Sequence, residues 1–463
     1  MQHLITPLFA AAVLVLSTAP AYADLGDEVA KLLADDGAVN DQFGNSVAIS
    51  GATAIVGAWL DDDNGGNSGS AYLFDSTTGV QIAKLLADDG VGGDVFGVSV
   101  AISGDTAIVG ARLDDDNGSA SGSAYLFDVS DPAKPTQIAK LLPDDGAAND
   151  WFGFSVAISG ATAIVGAYRD DDNGSQSGSA YLFDTNTGKQ LFKLLPEGGA
   201  AGDRFGFSVA ISGSTAIIGA YLDDDNGASS GSAYFFDTTT GLQIAKLLPD
   251  DGSGADWFGY AVAISGATAM VGAWQDDDNG SASGSAYLFD TTTGLQIAKL
   301  LPNDGAVGDA FGWSVAISDA TAIVGSVGDD DNRAGAGSAY LFDTTFGCQI
   351  AKLLPDDGES FDEFGITVGI GGIRGNETAI VGAWLDDDNG LNSGSAYLFE
   401  ASGTSPCPWD IDGSGSVGAS DLLSLLVSWG PCNGCCPADF DDNGTVGASD
   451  LLALLVNWGP CPK

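Results

Sequence analysis

Short stretches of alternating small and branched apolar residues run along most of the chain, each bounded by Gly, Ser, Thr, Asp or Asn. Phe258 to Ile264 (FGYAVAI) reads as a strand and Ser265-Gly266 as a turn. Thr268 to Ala273 (TAMVGA) is a second strand, and Asp276-Asp277-Asp278-Asn279-Gly280 opens a polar loop ending at Ser283. Gly284 to Asp290 (GSAYLFD) is a third strand, Thr291 to Gly294 a hairpin turn, and Leu295 to Leu301 (LQIAKLL) a fourth strand. Pro302 to Asp309 leads into the next Phe-Gly. The unit has no helical periodicity. It recurs seven times, with Phe-Gly at Phe43, Phe96, Phe152, Phe205, Phe258, Phe311 and Phe364, at intervals of 53 residues except for one of 56. Repeats of this length share one core. Four short antiparallel strands per unit predict an all-β fold, a seven-bladed β-propeller of four-stranded antiparallel blades.

The ends of the repeat region predict ring closure. Lys31-Leu32-Leu33 precedes the first Phe-Gly, whereas the last third strand, Gly394 to Glu400, has no Lys-Leu-Leu after it. Residues 29–33 are therefore expected to complete blade seven as its outer strand. Every outer strand carries one lysine (Lys31, Lys84, Lys140, Lys193, Lys246, Lys299, Lys352), a charge that discourages edge-to-edge pairing.

Charge narrows the partners. Lys and Arg total 15 against 63 Asp and Glu, a net charge of −48, which repels nucleic acid and anionic membranes and suits hard cations, cationic partners or solubility. The Asp-Asp-Asp-Asn loops contribute 21 Asp, and the links from each fourth strand to the next first strand another 21 acids, so two thirds of the carboxylates should share one face of the ring. Two readings stay open there: solvated turns, or Ca²⁺ or a cationic partner held between loops. In the sixth loop Arg333 replaces the Gly. On the opposite face two irregular turns, Val129 to Gln137 and Gly369 to Thr378, are candidate recognition loops or tolerated drift.

Residues 1–23 read as a secretory signal: Leu8 to Leu16 are apolar, and Ala21-Tyr22-Ala23 is a cleavage site before Asp24. No other stretch is long enough to span a bilayer. Cleavage would remove His3, the only histidine, excluding Ser-His-Asp and Cys-His catalysis and histidine metal sites. Six cysteines suit an exported, oxidising location.

The unit resembles the FG-GAP repeat, the blade of the integrin α-subunit propeller, over about residues 29–400: Phe258-Gly259 stands for FG, Val271-Gly272-Ala273 for GA(P), and Gly284-Ser285-Ala286-Tyr287-Leu288-Phe289 for the family's third strand. The resemblance implies an extracellular interaction platform within residues 24–400. Calcium-binding relatives carry an Asp-x-Asp-x-Asp-Gly-x-x-Asp loop between strands one and two. Here that link is a bare Ser-Gly turn in most blades, so no blade calcium site is implied.

After a linker at 401–406, two copies 29 residues apart each read Cys-Pro-x-Asp, loop, apolar helix, Trp-Gly-Pro-Cys. The loops Asp410–Asp421 and Asp439–Asp450 have an EF-hand layout: side-chain oxygens at positions 1, 3 and 5, Gly at 6, a carbonyl at 7 and a carboxylate at 12. The calcium ligands read from it are Asp410, Asp412, Ser414, Ser416 and Asp421, then Asp439, Asp441, Asn443, Thr445 and Asp450. Leu422, Leu425, Leu426 and Trp429 fall on one helix face, whereas Leu423, Val427, Leu452 and Val456 fall outside it, as a patch for a partner or for the propeller. The pair resembles a type I dockerin over 407–461, within a domain of 407–463. That implies calcium-dependent docking to a cohesin-like or other extracellular partner, in a polysaccharide-degrading or surface assembly. The family's recognition positions map to Ala419, Ser420, Ala448 and Ser449.

Cys407–Cys432 and Cys436–Cys461 are the preferred pairs by equivalence, leaving Cys348 and Cys435 either to tether the tail or as free thiols. The function read from the sequence is a secreted, non-catalytic display protein with a carbohydrate or cationic ligand on the propeller. Two alternatives stay open. One is a passive surface adhesin. The other is a glycosidase using carboxylates about 5–9.5 Å apart, for which Glu359, Asp362, Glu363 and Glu377 are the non-repeated acids.

Overall fold

The computed structural model describes residues 25–345, 347–373, 376–401, 409, 411, 416–431, 438–440 and 444–461. The expected signal segment and nearly all of the linker lie outside them. Residues 28–400 form seven four-stranded antiparallel sheets whose first strands ring the axis. In blade five the strands are Ala261–Ser265, Thr268–Ala273, Ser285–Asp290 and Gln296–Leu300. Among the described residues no helix is long and apolar enough to cross a membrane.

The ring closes as the sequence predicts, shifted by one residue. Glu28–Leu32 pairs antiparallel with Ser395–Glu400 as the outer strand of blade seven. The stretch Gly369 to Thr378 departs from the expected loop. Its residues continue the strand alternation and pair with one another, Gly369 with Ile380 and Gly371 with Thr378, lengthening the hairpin.

Phe-Gly joins blade to blade. Phe258, predicted to open the first strand, lies before it and bridges in parallel to Gly231 of blade four. Its fully buried ring packs edge-on against Tyr287 and Phe289, at 5.5 and 5.8 Å between centroids. Gly259 has φ +90°, and a Cβ there would lie 2.2 Å from the Ser232 carbonyl oxygen of blade four. Gly272 faces the next blade: a Cβ would lie 2.1 Å from the Gly312 carbonyl oxygen. Only glycine permits backbones this close. Between them lies a mixed layer, with Ile217, Phe235 and Leu247 of blade four against Val262, Val271 and Tyr287 of blade five. The core is a circle of such inter-blade layers.

The outer-strand lysines do more than guard edges. In blade one, Lys84 Nζ lies 2.8 Å from Asp36, 2.9 Å from Asp61 and 2.6 Å from Asp63. The Tyr72 hydroxyl donates to Asp61 at 2.8 Å and Asp36 at 3.0 Å. The same clamp recurs in the other blades; in blade seven it is Lys31 from the N-terminal strand that holds Asp357, Asp386 and Asp388. Blade four is the exception: Gly198 stands where the first carboxylate would be, and Lys246 holds only Asp223 and Asp225. Burial pushes the lysines down, but the hydrogen bonds they donate to the carboxylates outweigh it and hold them above their ordinary value.

Replacing Lys299 with Gln leaves Asp251, Asp276 and Asp278 repelling one another. The expected loss is roughly 1–3 kcal/mol, below that of a fully buried pair because two of the carboxylates are half exposed. Lys246→Gln, with two partners, should cost less. Urea titration of both variants checks this, and an equal or larger loss for Lys246→Gln contradicts the clamp.

Candidate functional site

The acidic face is built of loops whose carboxylates serve their own blade. In the first loop Asp61, 3% exposed, accepts the Asp63 N–H on Oδ1 and the tyrosine and lysine on Oδ2. Asp62 accepts the Asn67 N–H at 2.7 Å. Asp63 holds the lysine, and Ser68 Oγ accepts from Asn64 N–H and donates to the Asp61 carbonyl. The sixth loop keeps the aspartate part of this bonding despite Arg333, with Asp331 N–H donating to Asp329 and Gly335 N–H to Asp330, while Ala336 replaces the serine. The geometry is that of the turn reading.

A second aspartate per blade precedes Phe-Gly: Asp41, Asp94, Asp150, Asp203, Asp256, Asp309 and Asp362, all buried. Each accepts one backbone N–H, as Asp150 does from Ala147 at 2.7 Å. Burial pushes all seven above the usual carboxylate range, outweighing that hydrogen bond. Asp41, Asp150 and Asp256 reach about 6.

Among the positions that vary from unit to unit are the residues flanking Phe-Gly and the one just after strand two. They lie on the acidic face, next to the axis. After Phe-Gly, blades three to six supply Phe154, Phe207, Tyr260 and Trp313, with successive centroids 5.0, 4.9 and 5.1 Å apart. Tyr168, Tyr221 and Trp274, just after the second strands, pack on them at 4.6, 4.5 and 5.9 Å. Across the ring Trp59 and Trp384 stack at 6.3 Å, and their indole N–H groups donate to Gln42 and Glu363.

Three of the five arginines enter this belt. Arg112 lies over Trp59 and Trp151, its Cζ 4.6 and 5.1 Å from the centroids. Arg169 stacks on Trp151 at 3.5 Å. Arg204 lies beside Tyr168 and donates to the Tyr221 hydroxyl. Among the described residues none of the three forms an ion pair, although every clamp lysine does. Arg112 is pushed below its ordinary value by burial, with a further push from Arg169. The Nε atoms of Arg112 and Arg169 are buried with no hydrogen-bond partner among the described residues. The belt went unread in the sequence, where the acidic loops and the irregular turns of the opposite face were the candidate surfaces.

Of the four acids expected to be non-repeated, Asp362 is blade seven's copy of the repeated aspartate, with Glu359 and Glu363 beside it on one loop and Glu377 apart on the second strand. Glu363 is held by Trp384, while Glu377 accepts from Ser318 Oγ at the other end of the same hairpin. Glu359 lies 3.7 Å from Arg333, and its N–H donates to Asp362.

In the C-terminal segment the helices are Ala419–Val427 and Ala448–Val456. The two halves exchange strands: Ser416–Val417 pairs with Gly459–Pro460, and Thr445–Val446 with Gly430–Pro431. Val417, Leu425, Val446 and Leu454 form its buried core. Asp421 is fully buried and accepts from Ile411 N–H and Gly418 N–H, both at 2.7 Å; Asp450 accepts from Phe440 and Gly447 at 2.8 Å. Asp439 accepts from Gly444 N–H at 2.8 Å, tying loop positions 1 and 6. Ser416 and Thr445 lie on the short strands; Asp410, Asp412, Ser414, Asp441 and Asn443 lie outside the described residues. Ala419, Ser420, Ala448 and Ser449 are exposed, as are Leu423, Val427, Leu452 and Val456. Leu426 and Trp429, expected inside, are 49% and 48% exposed, because two nine-residue helices crossing once cover only Leu425 and Leu454 fully. Cys348 and Cys461 are disulfide-bonded. All other cysteines follow residue 401, so the bond of Cys348 ties blade six to the C-terminal segment, against the free-thiol alternative.

The FG-GAP repeat profile matches seven times, over residues 27–74, 80–127, 135–183, 189–236, 242–289, 295–342 and 348–399. Each match runs from an outer strand through the third strand of the following blade. A search of curated proteins finds no match.

The two sets of aspartates set the pH response. The seven buried ones bind protons more tightly folded than unfolded, so stability should rise as pH falls from 7 through about 6. In the clamps burial pushes Asp36, Asp170 and Asp251 up, but their lysine, tyrosine and backbone hydrogen bonds hold them below the usual range. Their contribution is lost below about pH 4. The urea midpoint should peak near pH 4–5, and Asp150→Asn should raise it most at pH 7, with the gain shrinking as pH falls through 6 and vanishing only near pH 4. A midpoint falling steadily from pH 7 to 5 contradicts this.

Proposed function

Because the chain belongs to the FG-GAP repeat family, we propose that it is an exported, non-catalytic binding protein. Its propeller presents the aromatic and arginine mouth to a ligand. Its C-terminal segment, folded around calcium, docks it to another extracellular protein. The carrying observation is that variable positions of successive blades bring aromatic rings and arginines together beside the axis. Selection for folding alone has no need to place aromatics and arginines there.

Composition and layout support the calcium reading. Residues 407–461 contain seven Asp and no Lys, Arg or His, so a divalent ion would supply positive charge that the segment lacks. Asp410, Asp412, Ser414 and Asp421 would hold the first ion, with the Ser416 carbonyl; Asp439, Asp441, Asn443 and Asp450 the second, with the Thr445 carbonyl. The ions would pull each loop onto its helix and fix the outward faces. Those faces repeat: Leu423, Leu426 and Val427 on one helix, Leu452, Leu455 and Val456 on the other, all exposed. Such a doubled apolar surface suits a protein partner of cohesin type. With Asp362 a repeated residue and Glu377 apart from Glu359 and Glu363, these acids favour no glycosidase.

Calorimetric Ca²⁺ titration of the mature chain, beside an Asp410→Ala/Asp439→Ala variant, tests this. About two tail sites are expected, lost together in the variant. Unchanged binding in the variant would overturn the assignment.

A further inference from the structure

Blade three departs from the repeat at one residue with chemical consequence. Leu60, Leu113, Leu222 and Leu385 occupy the position before the Asp-Asp-Asp loop in blades one, two, four and seven, with Gln275 and Gly328 in blades five and six; in blade three it is Arg169. Its guanidinium lies flat on Trp151 and borders a cavity of about 150 Å³ shared with Asn149, Ser175, Gln176 and Asp171. The Asp171 carboxylate is engaged by Gln176 N–H at 2.7 Å. Arg112 lies on the same indole, at 5.1 Å from the centroid.

Two guanidinium groups thus share one indole, half-buried and with no ion pair among the described residues, in a chain with 63 acids; the one carboxylate lining the cavity, Asp171, is engaged by the Gln176 N–H. Placing like charges together away from water is unfavourable unless an anion completes the site. The clamp lysines each receive that anion from their own blade. Here it has to come from outside. Flat guanidinium groups suit bidentate binding of a carboxylate. Amide and hydroxyl groups of Asn149, Gln176 and Ser175 suit a ligand rich in hydroxyls, and the cavity is of monosaccharide size. The surrounding acidic loops disfavour a densely charged chain.

We propose that the cavity at Arg169 binds a carboxylate-bearing sugar, a uronic acid unit of an extracellular glycan. The proposal rests on the platform reading and names the ligand class of its mouth. Arg169 takes the carboxylate, Asn149 and Gln176 the hydroxyls, and Trp151 holds Arg169 in place, with Arg112 adding positive charge nearby.

The test is calorimetric titration of the full mature chain with digalacturonate and with galactobiose, in buffer containing EGTA so that no calcium bridge forms. Digalacturonate should bind and galactobiose should not. Arg169→Gln should weaken binding at least tenfold with an unchanged melting temperature, and Arg169→Lys should restore part of it. Galactobiose binding equally well, undiminished in Arg169→Gln, overturns the proposal and leaves the platform reading standing. Digalacturonate binding that Arg169→Gln does not weaken overturns it too, by placing the ligand elsewhere. If neither sugar binds, the proposal fails; glycan-array screening of Trp151→Ala against the parent then judges the platform reading separately.

Discussion

One ammonium group per blade makes this much acid tolerable. Two unit charges 4 Å apart at an effective dielectric of 20 interact by about 4 kcal/mol. Three carboxylates converging on one spot would therefore drive apart the loops that join adjacent strands. The lysine Nζ, within about 3 Å of all three in six blades, converts that repulsion into a tie. It links the outer strand to the loop before the blade and to the loop between strands two and three, and the buried tyrosine hydroxyl adds a fourth anchor. In blade seven the same tie is intermediate between local and global, since Lys31 holds residues more than 300 positions away. Ring closure is thus electrostatic as well as hydrogen-bonded.

With the loops tied and the glycine contacts fixing blade spacing, the frame has little freedom left. Gly259 and Gly272 cannot change without pushing neighbouring backbones apart, and the inter-blade layers carry the apolar burial. Variation is tolerated where a side chain projects past the end of the sheet toward the axis. Three such positions recur in every blade, so 21 side chains meet around one opening. A rigid wheel with a freely chosen hub is a means of making a site without altering the fold.

Much of the wheel could be read from the chain because its signals are local. Period-two alternation marked the strands, the 53-residue spacing marked the blades, and the missing Lys-Leu-Leu after Glu400 marked the closing strand. The clamp was hidden because its members are 21, 23 and 48 residues apart in one blade, and each has an ordinary explanation alone: a turn aspartate, an edge lysine, a core tyrosine. The belt was hidden for the opposite reason. Phe154, Tyr168 and Phe207 look like core residues, and only their inconstancy across aligned units separates them from Phe152 and Tyr181, which never vary. In the C-terminal segment heptad-like spacing placed Leu426 and Trp429 inside, but helix periodicity says which residues share a face, not how much of it a small module can cover.

Lysine and arginine divide their work here according to their chemistry. The lysine ammonium is compact and strongly hydrated, and it gains most where several oxygens replace its water. The clamps do that. Arginine is planar and weakly hydrated, so it can lie on an indole and still direct N–H groups at a planar anion. Exchanging the two would defeat both devices: an arginine fork cannot converge on three carboxylates from one point, and a lysine over Trp151 would draw water into the belt. Outside the hub the face is acidic, and at ordinary ionic strength that field fades within about 8–10 Å. A ligand with many negative charges meets it before reaching the arginines, whereas one bearing a single carboxylate among neutral hydroxyls meets much less of it. The acidity that the clamps make structurally tolerable therefore also acts as a filter on what reaches the hub.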